Sequence, residues 1–216
     1  TKTAESEPEI MSLVQSNDIP YETTTAAEIE SLVGRNAVHQ GVLGYLDEKA
    51  LYTSLDEVLE KAKHAEKNSL FVLLDELQDP HNVGAIIRSA VAFGADAIIM
   101  PEHDQTQIAG TVIKGASGMN FAIPIVRIVN VNSTLSKLKE HKFWIYGLTG
   151  NGDSALSETE FDASSVIVVG GEAEGIRAKT LELCDFKLSI KMNPTCESLN
   201  ASNASAVTLY EWRKQN

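Results

Sequence analysis

Three stretches of this sequence bring together side chains that could hold a polar ligand or move a proton. In DPHNVGAIIRSA, residues 79–90, the amide of Asn82 and the cation of Arg88 stand six residues apart. In VIVVGGEAEGI, residues 166–176, an apolar run opens into Gly170, Gly171 and Glu172, a layout that lets a ligand approach backbone amides. This is no dinucleotide fingerprint: the G-x-G-x-x-G spacing is absent, and Glu172 and Glu174 would repel a pyrophosphate. The third stretch, ESLNASNASAV at 197–207, crowds Ser198, Asn200, Ser202 and Asn203 among alanines just before the final helix. One cap needs one such residue, so the excess crowds donors and acceptors into a place that the alanines make tight. The N-x-S patterns at Asn200 and Asn203 fit glycosylation only in a secreted chain.

The elements that must carry these residues read as a layered α/β domain. The apolar runs LFVLL, ADAIIM, FAIPIV, FWIYGL, SVIVVG and FKLSI alternate with helical or loop segments from Leu70 onward. That alternation predicts a mostly parallel sheet with helices on both faces. Val83, Ile86, Ile87, Ala90 and Val91 follow one helix face, with Asn82 expected at the N-cap and Gly94 at the stop. Arg88 falls well off that apolar stripe, and a long Arg leaning toward the helix N-terminus can reach the loop that holds Asn82. Upstream, residues 1–52 read as an acidic tail and a partial small α/β module: a short strand and a helix in IPYETTTAAEIESLVG, and another strand in HQGVLGYL. A linker helix follows in 53–69, opened by the S-x-x-E box at Ser54 and running to about Glu66, and the main domain spans 70–216.

Composition narrows the function classes. The net charge of -12 argues at first against nucleic acid, but residues 1–60 hold 3 Lys/Arg against 12 Asp/Glu while residues 61–216 hold 15 against 18. The larger part is thus near neutral and can present a local basic face. No apolar run reaches the length of a membrane span, and TKTAESEPEI shows no cationic, apolar leader. Cys184 and Cys196 lack metal or redox spacing and are expected as reduced thiols in a cytoplasm. The five scattered histidines give no metal site.

Taken together, N-x-G-x-x-x-R at Asn82 to Arg88, V-x-G-x-E-x-x-G at Val168 to Gly175 and S-L-N-x-S-N-A at Ser198 to Ala204 resemble the three motifs of the SpoU/TrmH family. The resemblance covers about residues 70–216 and implies an S-adenosylmethionine-dependent RNA ribose 2′-O-methyltransferase, a homodimer with no metal and with a C-terminal trefoil knot in which the Ser and Asn of 197–207 are buried polar structure. It implies that Thr149, Gly150, Gly170, Gly171, Ile190, Met192 and Leu199 line the donor pocket. Asn82, Arg88, Glu172, Ser198 and Asn200 would surround the transferred methyl and the RNA. HQG with DPHNVGAIIRSA is most like the enzymes acting on a guanosine of large-subunit rRNA, with tRNA enzymes and a non-catalytic RNA-binding protein as alternatives. HQGVLGYL resembles the end of an RNA-binding substrate module. Lys191 stands where relatives often carry Pro, and Phe121 where a carboxylate is expected. In this reading Arg88 binds a phosphate and stabilises oxyanion character, Asn82 holds its head group, and Glu172 orients Asn82 or takes a proton through water. The helix bearing Leu209, Tyr210 and Trp212 is expected at the dimer contact.

Overall fold

A computed structural model describes Thr1, residues 7–34 and residues 37–216, which form two compact units, Thr1–Asp47 and Glu48–Asn216. Residues 2–6 of the expected tail lie outside the described residues.

The first unit holds helices α1 (Pro8–Ser16) and α2 (Ala26–Val33) and, among its described residues, no strand. Both strands expected here are corrected to loop: Ile19 and Tyr21 are exposed, as are Val38, Val42, Tyr45 and Leu46, and an extended segment with no neighbour to pair with gains nothing from strand geometry. Helix α2 is started by a capping box, in which Glu28 N donates to Thr25 Oγ1 and Thr25 N donates to Glu28 Oε2. Hydrogen bonds from Thr24 and then Thr25 hold the Glu28 carboxyl down at about 2.

The second unit begins with a 3-10 turn at Glu48–Leu51 and helix α3 (Leu55–Lys63), where Ser54 Oγ accepts from Glu57 N at 3.2 Å. The helix stops three residues short of the expected end, and its Val58 and Leu59 are buried in the unit's core. Next come β1 (Leu70–Asp75), α4 (Pro80–Ala92), β2 (Ala97–Pro101), α5 (Gly110–Gly115), β3 (Ile125–Ile128), α6 (Val131–Glu140) and β4 (Trp144–Leu148). The chain continues through β5 (Ser154–Ala155), β6 (Ser165–Gly170), α7 (Ala178–Glu182), β7 (Phe186–Ser189) and α8 (Ala201–Gln215). The seven strands pair in parallel in the order β3-β2-β1-β6-β4-β7-β5.

All six residues of β1 are buried, and their side chains alternate between two apolar clusters. Leu70, Val72 and Leu74 join the cluster under α4, α5 and α8; Phe71 and Leu73 join the one under α3, α6 and α7. The sheet is therefore covered on both faces, as the unbroken apolar runs require. Because every strand runs the same way, all the carboxyl ends share one edge, the edge where such sheets place ligands.

Two details of the sequence reading change. Helix α4 starts earlier than expected: Asp79 is the cap, its Oδ1 accepting from His81 N at 2.9 Å, and Pro80 occupies the first turn, so Asn82 lies inside the helix. Gly94 does close it, at φ 79°, with Gly94 N bonded to Val91 O and Ala95 N to Ala90 O. At the other end of the chain, ASNASAV forms the first two turns of α8 rather than an approach to it. Ser205 and Thr208 are buried there, each hydroxyl donating to the carbonyl four residues back.

Candidate active site

The three motifs meet through one amide. Asn82 is 6% exposed on the first turn of α4, and its Nδ2 donates to Glu172 Oε1 at 2.7 Å. Its Oδ1 accepts from Asn200 Nδ2 at 2.9 Å. Asn200 is the N-cap of α8, and its own Oδ1 accepts from Ser202 N and Oγ at 2.9 and 2.6 Å. Residues 90 and 118 positions apart are thus joined in a single chain of hydrogen bonds. Gly84, the motif's glycine, serves packing: a Cβ there would meet the carbonyl of Val112 at 2.8 Å and Ala116 N at 2.9 Å, so its absence lets α4 and α5 cross closely.

Arg88 lies two turns along α4, exposed, and makes no hydrogen bond or ion pair with any described residue. Asn82 does not hold the Arg88 head group, contrary to expectation; its amide is bonded to Glu172 and Asn200 instead. The exposed Glu172 side chain uses one carboxylate oxygen on Asn82, and the other has no partner among the described residues. The fixed amide and the carboxylate with an open oxygen can orient and accept a proton, and the unengaged guanidinium two turns along can bind an anion.

Glu172 sits on a turn that crosses from β6 to α7. Gly175 N donates to Gly171 O at 3.0 Å, and Gly175 has φ 70°. The chain's own backbone fills the space beside the two leading glycines. A Cβ on Gly170 would collide with the backbone of Gly175 and Ile176, and one on Gly171 would meet Glu76 O at 2.7 Å. Two residues outside the three motifs anchor this turn. Asp75, fully buried at the end of β1, accepts from Arg177 Nη2 at 2.6 Å, Nε at 3.0 Å and backbone N at 3.1 Å. Burial opposes the Arg177 charge, but the bonds to Asp75 and the charges of Asp75 and Glu76 outweigh it and raise the guanidinium pKa. No spacing rule links positions 102 residues apart; the sequence signal is only an Asp at a strand end and an Arg past a glycine turn.

The residues expected around a donor lie at the neighbouring carboxyl ends of β6, β4 and β7. Thr149, half-buried, follows β4 and donates its N–H to Leu188 O at 2.9 Å; Gly150 is exposed with open space where a Cβ would stand. Ile190 packs on the apolar cluster with Leu148 and Ala201, and Met192 is half-buried. Leu199 is 37% exposed and Ser198 is exposed. The expectation that 197–200 is buried polar structure is corrected: those side chains face solvent, and Asn200 alone reaches the core through Asn82. Phe121 is 58% exposed. Of the three residues expected at a dimer contact, Leu209 and Trp212 are buried in this chain's own core and Tyr210 is 57% exposed.

A cavity of about 300 Å³ opens elsewhere on the carboxyl edge, lined by Glu76, His103, Asn130, Arg177 and Lys179 among others. No residue of the three motifs lines it. Among the described residues no cluster of His, Cys, Asp and Glu fits a metal ion, and no helix is long and apolar enough to cross a membrane.

Residues 69–210 match the SpoU rRNA Methylase family. The chain is 34% identical over 209 residues to a Staphylococcus epidermidis protein assigned to the TrmH family of tRNA/rRNA methyltransferases, covering 96% of this chain and 83% of that one. It is 37% identical over 183 residues to the 23S rRNA (guanosine-2′-O-)-methyltransferase RlmB of Neisseria meningitidis serogroup B, covering 85% and 72%. The crystal structure of the SpoU methyltransferase AviRb from Streptomyces viridochromogenes superposes with a TM-score of 0.68 at 28% identity, covering 76% of this chain and 64% of that one. The complex of AviRb with its cofactor AdoMet shares the fold, with a TM-score of 0.70 at 24% identity over 95% and 86% of the two chains.

Proposed function

The chain belongs to the SpoU rRNA Methylase family, and from that premise we propose that it transfers a methyl group from S-adenosylmethionine to a ribose 2′-hydroxyl of RNA, in a guanosine of large-subunit rRNA. The observation that carries the reading is the Asn200–Asn82–Glu172 chain, which ties all three motifs to one point on the sheet edge. The guanosine and the rRNA are supported by the relative from Neisseria. The donor is supported by AviRb, which binds AdoMet.

The residues at the ends of β6, β4 and β7 fit such a donor. Ile190 and Met192 offer half-buried apolar surface to an adenine ring, Gly150 leaves room beside it, and Glu172 supplies negative charge without a phosphate-binding loop. S-adenosylmethionine supplies a methyl group already activated by its sulfonium sulfur. The task left to the protein is to align a weak nucleophile and lower the cost of removing its proton. Arg88, free of partners among the described residues, binds the phosphate beside the target ribose and stabilises negative charge developing on the 2′-oxygen. A guanidinium keeps its proton near neutral pH, so Arg88 is not the base. The open oxygen of Glu172 accepts the hydroxyl proton, directly or through a water, while Asn82 fixes that carboxylate. The knotted C-terminus, the homodimer and a cytoplasmic location belong to the same reading; exposed Val207 and Tyr210 on α8 support a self-contact, and the free Cys184 and Cys196 fit a reducing compartment.

The test is methyl transfer from labelled S-adenosylmethionine to purified rRNA and tRNA, followed by mapping of ribose methylation. Arg88→Ala is expected to lose about 100-fold or more in turnover while donor affinity stays within about threefold, because Arg88 lies outside the donor residues. Turnover close to that of the unaltered protein would remove Arg88 from the chemistry. Labelling of tRNA alone would move the substrate from rRNA to tRNA.

A further inference from the structure

We propose that Arg177 is a positioning residue for this reaction: by gripping the end of β1 it holds the turn after β6 where Glu172 meets Asn82. The inference rests on the methyl-transfer reading of the site.

The turn is closed on a single residue. At its start Gly170 pairs with Asp75 in the β1–β6 ladder, and at its end Arg177 bonds to the carboxylate of the same Asp75 with three donors. The remaining arm of the guanidinium meets the next residue, with Nη1 2.8 Å from Glu76 Oε1. Glu76 itself has φ 63°, a left-handed conformation that a Glu keeps only when its surroundings impose it. The surroundings do so from two sides, since its carboxylate is gripped by Arg177 and its carbonyl is packed against Gly171. Residues 171–176 therefore have both ends fixed to Asp75, and Glu172 projects from them across to α4.

Arg177 shares no hydrogen bond with Asn82, Arg88 or Asn200, and its fork is already occupied by two carboxylates. Its influence on the chemistry runs through the place of Glu172, and small displacements of an aligned group cost rates steeply. A Lys would keep the charge but lose the planar fork that serves Asp75 and Glu76 together.

A double-mutant cycle separates this role from general stability. Arg177→Ala is expected to slow single-turnover methylation about 10-fold or more in the otherwise unaltered protein, yet less than about threefold in a Glu172→Ala background. Arg177→Lys should fall nearer to the Ala variant than to the parent, and it carries the cycle if the Ala variant does not fold. In parallel, hydrogen exchange at the amides of 171–176 should quicken in either Arg177 variant while exchange in β2 stays unchanged. Equal losses in the two backgrounds, or unchanged exchange across the turn, overturn the proposal. If the unaltered protein methylates no RNA, the methyl-transfer reading fails, and exchange alone still decides whether Arg177 holds the turn.

Discussion

The turn at 171–176 and the segment at 191–200 both bring motif residues to the same amide of Asn82, but they are held in different ways. The turn is fixed at both ends to buried Asp75, with its glycines filled against backbone. In the segment, Lys191 and residues 193–200 are exposed, and the bonds of Asn193, Thr195, Cys196 and Ser198 stay within it. Asn200 alone reaches across, to Asn82. One side of the site is built by the chain itself, while the other is the part a bound molecule can reshape.

The contrast is tested first where it predicts the largest effect. Gly170→Ala should lower stability by roughly 3 kcal/mol, because backbone rather than a movable side chain occupies the space. Denaturant midpoints matching the parent would show that the turn is looser than described.

The two thiols report on the two regions. Cys184, after the helix that the turn leads into and in one apolar cluster with Ile176, is 8% exposed, and burial with the neighbouring Asp185 pushes its thiol up to about 12; Cys196 in the segment is exposed. Iodoacetamide at pH 8 should modify Cys196 in the folded protein and Cys184 only after denaturation. Burial, with Asp162, likewise raises Tyr146 to about 12. In both groups the folded state favours the protonated form, so the unfolded chain releases these protons first. Stability is then intact below about pH 8 and falls as pH rises toward 12, by about 3 kcal/mol at pH 10.5. Melts that are flat from pH 8 to 10.5 would contradict the burial of both groups.

Asn200→Leu comes next. It removes the cap of α8 and the donor to Asn82, with an expected loss of about 1–2 kcal/mol in denaturant melts and weaker donor binding in calorimetric titration. Ser198→Ala, two residues away and exposed, should change stability by less than about 0.5 kcal/mol. If Ser198→Ala costs as much as Asn200→Leu, the segment is held by more than its one outward bond.

Much of this arrangement is legible in the sequence because burial on both faces leaves unbroken apolar runs. SVIVVG is β6 from end to end, and the other five runs each overlap a strand, FAIPIV only at Ile125 and Val126. Strand β5 escapes notice because Ser154–Ala155 is a two-residue edge with no apolar run. Asn82 is misplaced by one helix boundary: the apolar stripe begins at Val83, while the chemistry of the start, Asp79 before Pro80, puts the cap three residues before Asn82. ESLNASNASAV divides into solvent-facing Ser198 and buried Ser205, and composition alone cannot separate them because a serine that bonds to its own helix can be buried as readily as exposed. The Asp75–Arg177 contact is invisible for a simpler reason, since it depends on which strands lie side by side.

That strand order also has a consequence in time. β6 lies between β1 and β4, so the middle of the sheet is missing until residues 165–170 have been made. At about 5–20 residues per second, synthesis of residues 76–164 takes roughly 5–20 s. Through that interval β1, apolar on both faces, has β2 on one side and an unpaired edge on the other. The newborn chain thus carries its stickiest strand half-covered for seconds, and its yield in a cell depends on what shields that edge until β6 arrives.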